Sequence, residues 1–173
     1  MSFTRYPELF KVRLAKRDPD VPFPIVFQGP MTKEALESFN KARLAQHREW
    51  QKDLPYPDVK VDRMLYNNDG YQGYAIVYRP KDDAFLPAVV FYHGGSFTDM
   101  TVDHYDYFCA AVAESSHCVV FNVEYRQTID VTVPVCYEDC YAGLLEIAKQ
   151  APDFGADASR LAIMGDSAGG ELA

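Results

Sequence analysis

The 173-residue chain has no apolar segment long enough for a membrane helix and no excess of basic residues. Its longest apolar runs have the length of β-strands, far below the ~20 residues that cross a bilayer. Basic residues and prolines interrupt residues 1–30, so the N-terminal stretch does not resemble a targeting segment. These absences predict a cytoplasmic protein without a membrane span.

The charge balance is acidic. Seventeen Lys and Arg residues stand against 25 Asp and Glu residues, which gives a formal net charge of −8. Binding to a phosphate backbone depends on clustered Lys and Arg side chains, so the sequence predicts no nucleic-acid partner. The hydrophobic content of 48 % is ordinary for a globular protein and argues against a disordered chain.

Cysteine is also scarce, with four residues in the whole chain. Cys136 and Cys140 lie one helical turn apart, a spacing that permits a metal or redox pair. The chain has no CxxC motif and no histidine pair at a matching spacing, so buried free thiols are the favoured interpretation.

A change of pattern near residue 55 predicts two regions. Thr32 can cap a helix whose first turns carry Glu34 and Glu37, where carboxylates suit the positive end of the helix dipole. The proline-rich segment 54–57 ends this helix. We predict an N-terminal helical cap region, 1–55, and an incomplete α/β core, 56–173.

The core region alternates between strand and helix patterns. An Asp-Gly turn within residues 67–70 predicts a hairpin between strands at 59–66 and 74–79. Apolar runs typical of strands buried in a parallel sheet follow, separated by segments with helical periodicity. The strand runs are 87–92, 118–123 and 161–164, and the helical segments are 103–115 and 135–150. This alternation predicts an α/β fold with a mostly parallel sheet and helices on both faces.

The segment Gly165-Asp166-Ser167-Ala168-Gly169 is a GxSxG motif directly after the third apolar run. In a nucleophile elbow, a serine occupies a strained strand-to-helix turn, and flanking glycines remove the Cβ atoms that would clash there. The motif predicts Ser167 as the nucleophile. A tight turn without a catalytic role is the alternative.

The segment His93-Gly94-Gly95-Ser96 follows another buried strand run. Open α/β sheets place their sites at the carboxyl ends of such strands. The backbone N–H groups of Gly94, Gly95 and Ser96, with that of Ala168, can form an oxyanion hole for a tetrahedral intermediate. We expect His93 and Asp166 to support these loops rather than to react.

These motifs resemble those of the hormone-sensitive-lipase-like esterases of the α/β-hydrolase fold, which carry an HGGG loop and a GDSAGG elbow. The resemblance covers residues 59–173, and residues 165–170 agree with the family hexapeptide at every position. It implies a serine carboxylic-ester hydrolase that acts on small-molecule esters with short to medium acyl groups and needs no metal or organic cofactor. It also implies that residues 1–52 correspond to helices that help to cap the acyl pocket.

The chain departs from the family pattern in three places. Ser96 replaces the third glycine of the HGGG loop, and Gln-Thr-Ile-Asp at 127–130 replaces Leu-Ala-Pro-Glu. In this fold the triad acid and histidine follow the serine, but the six residues after Ser167 include neither Asp nor His. The C-terminal strands of the fold are also absent from this chain, so we expect the chain alone to be inactive.

The other titratable residues are expected to be structural. His47, His104 and His117 are predicted to be surface or capping residues, and Glu124 and Asp139 to brace loops. Two further functions stay open. One is a ligand-binding protein on the same fold, and the other is a split chain that needs a partner for the later strands, because the strand at 161–164 otherwise leaves an unpaired apolar edge.

Overall fold

The computed structural model describes residues 32–82 and 84–173 of the chain. The chain divides into two compact units between Pro55 and Tyr56, and the first unit contains helix α1, Lys33–Gln51. Thr32 caps α1 as predicted, because its hydroxyl accepts a hydrogen bond from the N–H of Ala35 at 3.2 Å. Residues 1–31 of the expected cap region lie outside the described residues, and the cap itself stays a prediction.

The second unit is built on a sheet with five strands among the described residues. The strands are β1 Val59–Asn68, β2 Tyr71–Pro80, β3 Leu86–Tyr92, β4 Val119–Glu124 and β5 Ala156–Gly165. Their order across the sheet is β1-β2-β4-β3-β5. Strand β2 is antiparallel to its neighbours β1 and β4, whereas β3 is parallel to β4 and β5. Four strands therefore run in one direction, which confirms the mostly parallel sheet.

The hairpin between β1 and β2 forms at the predicted turn. Asn68 pairs with Tyr71, and the two residues between them, Asp69 and Gly70, have positive φ angles of 45° and 81°. A two-residue turn with both φ angles positive matches the right-handed twist of the flanking strands. The Asp-Gly pair therefore sets the register of the hairpin.

Helices cover both faces of the sheet, as the alternating pattern predicts. Helix α2, Asp106–Ser116, packs on one face and helix α3, Val135–Gln150, on the other. Successive residues of β3 alternate between these faces, since Val90 packs in the cluster of α3 and Phe91 in the cluster of α2. No helix in the described part of the chain has the length and apolar character needed to span a membrane.

Two elements differ from their predicted form. The helix expected from residue 103 begins as a 3-10 turn, Val102–Tyr105, and continues as α2. Strand β5 has ten residues rather than four, and the expectation that it is buried is wrong, because most of its side chains are half-buried or exposed. The reason is its position, since β5 pairs with β3 alone among the described strands and lies at the edge of the sheet.

Candidate active site

Ser167 occupies the turn between β5 and a short helix, α4, Ala168–Leu172. Its φ of 52° and ψ of −119° form a conformation that residues other than glycine rarely adopt, and the residue is exposed. A Cβ atom on Gly165 would lie 2.0 Å from the carbonyl oxygen of Gly169, so the turn closes only with glycine at position 165. The motif therefore forms the strained strand-to-helix turn that an elbow requires.

The loop after β3 orients two peptide groups by holding their carbonyl oxygens. His93 Nδ1 lies 2.8 Å from the oxygen of Gly94, and the N–H groups of residues 98 and 99 donate to the oxygen of Gly95 at 3.0 and 2.8 Å. In a trans peptide the C=O and N–H bonds point in opposite directions. The N–H groups of Gly95 and Ser96 therefore point away from these contacts, and within residues 32–82 and 84–173 neither donates to a carbonyl.

Ala168 offers a third donor on the elbow side. It is the first residue of α4, so its N–H has no acceptor within the helix. An oxyanion hole is built from backbone donors whose directions are fixed in advance.

The elbow lies against the loop after β3, residues 94–100, which we call the glycine loop. The N–H of Asp166 donates to the carbonyl oxygen of Tyr92 at 3.4 Å, and a Cβ atom on Gly169 would lie 2.0 Å from that same oxygen. A Cβ atom on Gly94 would lie 2.7 Å from the carbonyl oxygen of Asp166. Glycine at positions 94 and 169 permits this contact, which brings the seven predicted site residues together at the carboxyl ends of β3 and β5.

His93 is fully buried beneath the glycine loop and has a partner at each ring nitrogen. Nε2 lies 3.3 Å from Glu124 Oε1, and Nδ1 contacts Gly94. The ring stacks on Tyr125 at 4.3 Å between centroids, and the Tyr125 hydroxyl donates to the carbonyl oxygen of His93 at 2.7 Å. Burial raises the pKa of Tyr125, which keeps this hydroxyl protonated as a donor. These contacts are those of a residue that braces the loop.

Asp166 connects the elbow to the start of α2. Its Oδ2 accepts a hydrogen bond from the Tyr105 hydroxyl at 2.5 Å. The sequence gives no sign of this contact, because the two residues are 61 positions apart. The geometry suits the supporting role expected of Asp166.

The chain is similar in sequence and in structure to known esterases. Residues 89–173 match a family model described as alpha/beta hydrolase fold. Carboxylesterase NlhH of Mycobacterium tuberculosis is 31 % identical over 154 residues, which cover 87 % of this chain and 46 % of that protein. Carboxylic ester hydrolase LipN of the same organism is 35 % identical over 122 residues, 69 % of this chain and 32 % of that protein. An esterase structure from Pyrobaculum calidifontis has a TM-score of 0.78 at 29 % identity and covers 95 % of this chain and 50 % of that one.

This chain belongs to the α/β-hydrolase esterase family. It spans between about a third and a half of the length of these relatives. Its elbow and glycine loop both lie within the residues that match the family model.

Asp139 is a buried carboxylate that this α/β-hydrolase chain uses structurally. It accepts hydrogen bonds from the backbone N–H, Nε and Nη2 of Arg126 at 3.0, 2.8 and 2.7 Å, and from Asn68 Nδ2 at 2.7 Å. Burial acts to raise the pKa of Asp139, but the hydrogen bonds from Arg126 and Asn68 outweigh burial and lower it overall. The carboxylate therefore braces the chain after β4, as the sequence favours.

The other three histidines have contacts of their own. The backbone N–H of Thr101 donates to His104 Nδ1 at 3.1 Å, so His104 is a capping residue, although a buried one. His117 ends α2, and its Nε2 lies 3.5 Å from Asp82 Oδ2. His47 stacks on Trp50 within α1.

All four cysteines are free and buried. Burial raises the pKa of Cys118 to about 11 and also raises the pKa of Cys109 and Cys140. Since the thiolate is the reactive form, these buried thiols are poor nucleophiles. Among the described residues, no group of three or more His, Cys, Asp or Glu side chains is arranged to hold a metal ion.

Proposed function

We propose that this chain is the nucleophile-bearing part of a serine carboxylic-ester hydrolase. The observation that supports this best is the contact between two loops, one of which presents Ser167 in a strained, exposed turn. The other carries N–H groups, at Gly95 and Ser96, that have no carbonyl partner in the described part of the chain. A hydroxyl beside preorganised donors suits attack on a carbonyl that becomes an oxyanion.

In this mechanism Ser167 Oγ forms a bond to the carbonyl carbon of the ester, and its proton passes to a histidine base. The oxyanion accepts hydrogen bonds from the N–H groups of Gly94, Gly95 and Ser96 in the glycine loop, and from that of Ala168. The bond to the alcohol oxygen then breaks, and the histidine gives its proton to the leaving alcohol. Water hydrolyses the acyl-enzyme, which releases the acid and restores the Ser167 hydroxyl.

The histidines among these 173 residues have structural contacts, including the stacking of His47 on Trp50, so none of them is assigned as the base of this mechanism. His93 and His104 are buried in structural contacts, and His117 ends α2. We propose that the base and its orienting carboxylate lie outside these residues. The 173-residue chain alone then binds ester without turning it over, because a serine without its base is barely nucleophilic at neutral pH.

The substrates that we propose are small-molecule esters with short to medium acyl groups. Two of the relatives are named as a carboxylesterase and a carboxylic ester hydrolase. Both the attack and the oxyanion contacts involve only the ester group, so aryl esters of short acids are suitable first probes.

The test is hydrolysis of p-nitrophenyl acetate and butyrate by the protein of the complete reading frame. We expect Ser167→Ala to lower kcat by at least about 10³-fold, since the variant loses the nucleophile of the covalent route. Ser115→Ala removes an exposed serine hydroxyl that bonds only to Val112 O among the described residues, so this control keeps its activity.

Equal activity of Ser167→Ala and the unchanged protein contradicts the proposal. If the complete protein binds esters without turning them over, it is a ligand-binding member of the fold. If turnover appears only after a second chain is added, the split-chain alternative is correct.

A further inference from the structure

In the glycine loop, residues other than glycine also have strained backbone conformations. Ser96, Phe97 and Met100 have positive φ angles of 54°, 63° and 65°. Such a conformation is unfavourable for a residue with a side chain, and it persists only where the surroundings impose it. Some contact outside residues 94–100 must therefore hold the loop in place.

The segment after β4 supplies several contacts of this kind. The side-chain amide of Gln127 donates hydrogen bonds to the carbonyl oxygens of Asp99, at 3.1 Å, and of Met100. Thr128 adds two contacts to Phe97 O, from its backbone N–H at 2.8 Å and from its hydroxyl at 3.2 Å. These contacts reach three of the last four residues of the loop.

The carbonyl group that Gln127 holds is also the one that packs on the oxyanion peptide. A Cβ atom on Gly95 would lie 1.9 Å from the oxygen of Asp99, so this oxygen lies directly against the Gly95 backbone. The N–H of Asp99 in turn donates to Gly95 O at 2.8 Å. Asp99 therefore contacts Gly95 through both its N–H and its C=O, next to the peptide whose Ser96 N–H is one of the proposed oxyanion donors.

We propose that Gln127 is a positioning residue, which fixes the direction of the Ser96 N–H through Asp99. Gln127 is one of the residues by which this chain departs from the family pattern, and it faces a loop whose third glycine is replaced by Ser96. The amide of Gln127 offers the two donors that the strained loop uses. The catalytic part of this inference rests on the proposed function, whereas the structural part does not.

The experiment compares Gln127→Met with Gln150→Met in the protein of the complete reading frame. Methionine keeps the length of the side chain and removes its donors. Gln150 is a matched control, because its amide donates to Glu146 on α3, outside the glycine loop. Thr128→Val is a milder variant, since the backbone N–H of residue 128 still reaches Phe97 O.

Two quantities are measured, amide hydrogen exchange in peptides covering residues 94–101 and the kinetics of aryl-ester hydrolysis. For Gln127→Met we expect exchange of the Thr98 and Asp99 amides to rise about tenfold, the effect of losing roughly one net hydrogen bond. We expect kcat to fall about 10- to 100-fold with KM within about twofold, since a misdirected oxyanion donor acts on the transition state. Gln150→Met leaves both quantities unchanged.

Unchanged exchange at residues 98 and 99 in Gln127→Met overturns the inference, and so does faster exchange with an unchanged kcat. A general loss of stability is recognised by faster exchange in β3 and β4 as well, and it also counts against a positioning role. If the unchanged protein hydrolyses no ester, the proposed function fails, and the exchange measurement alone decides whether Gln127 holds the loop.

Discussion

Asp139 carries a negative charge in the interior, where an unpaired carboxylate is strongly disfavoured. Two residues, Arg126 and Asn68, surround it with four hydrogen-bond donors. The pairing leaves no part of the carboxylate to be solvated by water, so stability depends on keeping both the charge and its partners. This dependence makes Asp139 a sensitive probe of the fold.

We expect Asp139→Asn to lower the free energy of unfolding by roughly 3 kcal/mol at pH 7, because it leaves Arg126 without its counter-charge. The pKa of Asp139 is lowered in the folded state. Its contribution is therefore fully present above the unfolded pKa of about 4 and is lost as the pH falls through the folded pKa. Urea unfolding from pH 7 to pH 3 measures the free energy of unfolding of the unchanged protein and of Asp139→Asn. The difference between these free energies should narrow below about pH 4.

Asp58→Asn is the matched control, since Asp58 forms an exposed ion pair with Lys81. Exposed pairs contribute little to stability, so its curve should follow that of the unchanged protein. A gap for Asp139→Asn that stays constant down to pH 3 contradicts the assignment of a low pKa.

The sequence identifies a single residue best where the backbone around it admits only one residue type. Gly165 and Gly169 are readable in the motif because no other residue fits the turn, and Ser167 is readable because it stands between them. Tyr105 and Gln127 carry no such signal. Their partners are 61 and 27 to 28 positions away, and only the fold brings them together.

Helix α4 is too short to be stable by itself, so its place depends on contact with neighbouring strands. Gly169 provides that contact, because its Cα lies against the carbonyl group of Tyr92 at the end of β3. Gly170 is the next residue, and a Cβ atom there would meet its nearest neighbour at 3.5 Å, an ordinary distance. Position 169 therefore excludes a side chain, whereas position 170 has room for one.

We expect Gly169→Ala to destabilise the protein by about 3 kcal/mol or more, since a Cβ atom 2.0 Å from a backbone oxygen forces β3 and α4 apart. Gly170→Ala should be neutral or stabilising by up to about 1 kcal/mol, because alanine favours a helix. Chemical denaturation of both variants measures the difference. Equal stabilities contradict the close contact between the elbow and β3.

The sequence predicts a helix or strand correctly where its own residue pattern matches the burial that the fold gives it. Helix α3 has its predicted limits, and the β1–β2 hairpin forms at its Asp-Gly turn. The apolar residues 161–164 predict a buried strand, whereas β5 is half-buried or exposed over most of its length. An apolar run does not tell whether a strand lies inside a sheet or at its edge, since that depends on which strands join it.

At the scale of the whole molecule, the sheet of the described residues ends at β5, whose apolar residues 161–164 are half-buried or exposed. Ile163 on β5 is 38 % exposed. Such a strand edge offers unpaired N–H and C=O groups as well as apolar side chains, which favours pairing with another chain. The exposed edge of β5 is therefore the part of the sheet at which we expect the chain to associate with another chain.

We expect the 173-residue chain, expressed by itself, to self-associate through β5 at micromolar concentration. Ile163→Lys places a charge on that edge and should shift the chain towards monomer in light scattering after size-exclusion chromatography. Val61→Lys is the matched control, since Val61 is a 51 % exposed apolar residue on β1, at the opposite edge. A monomeric chain with a single cooperative melt contradicts this prediction, because β5 would then be stable as an exposed edge. Dispersal by both variants alike would show instead that added charge, rather than the β5 edge, controls association.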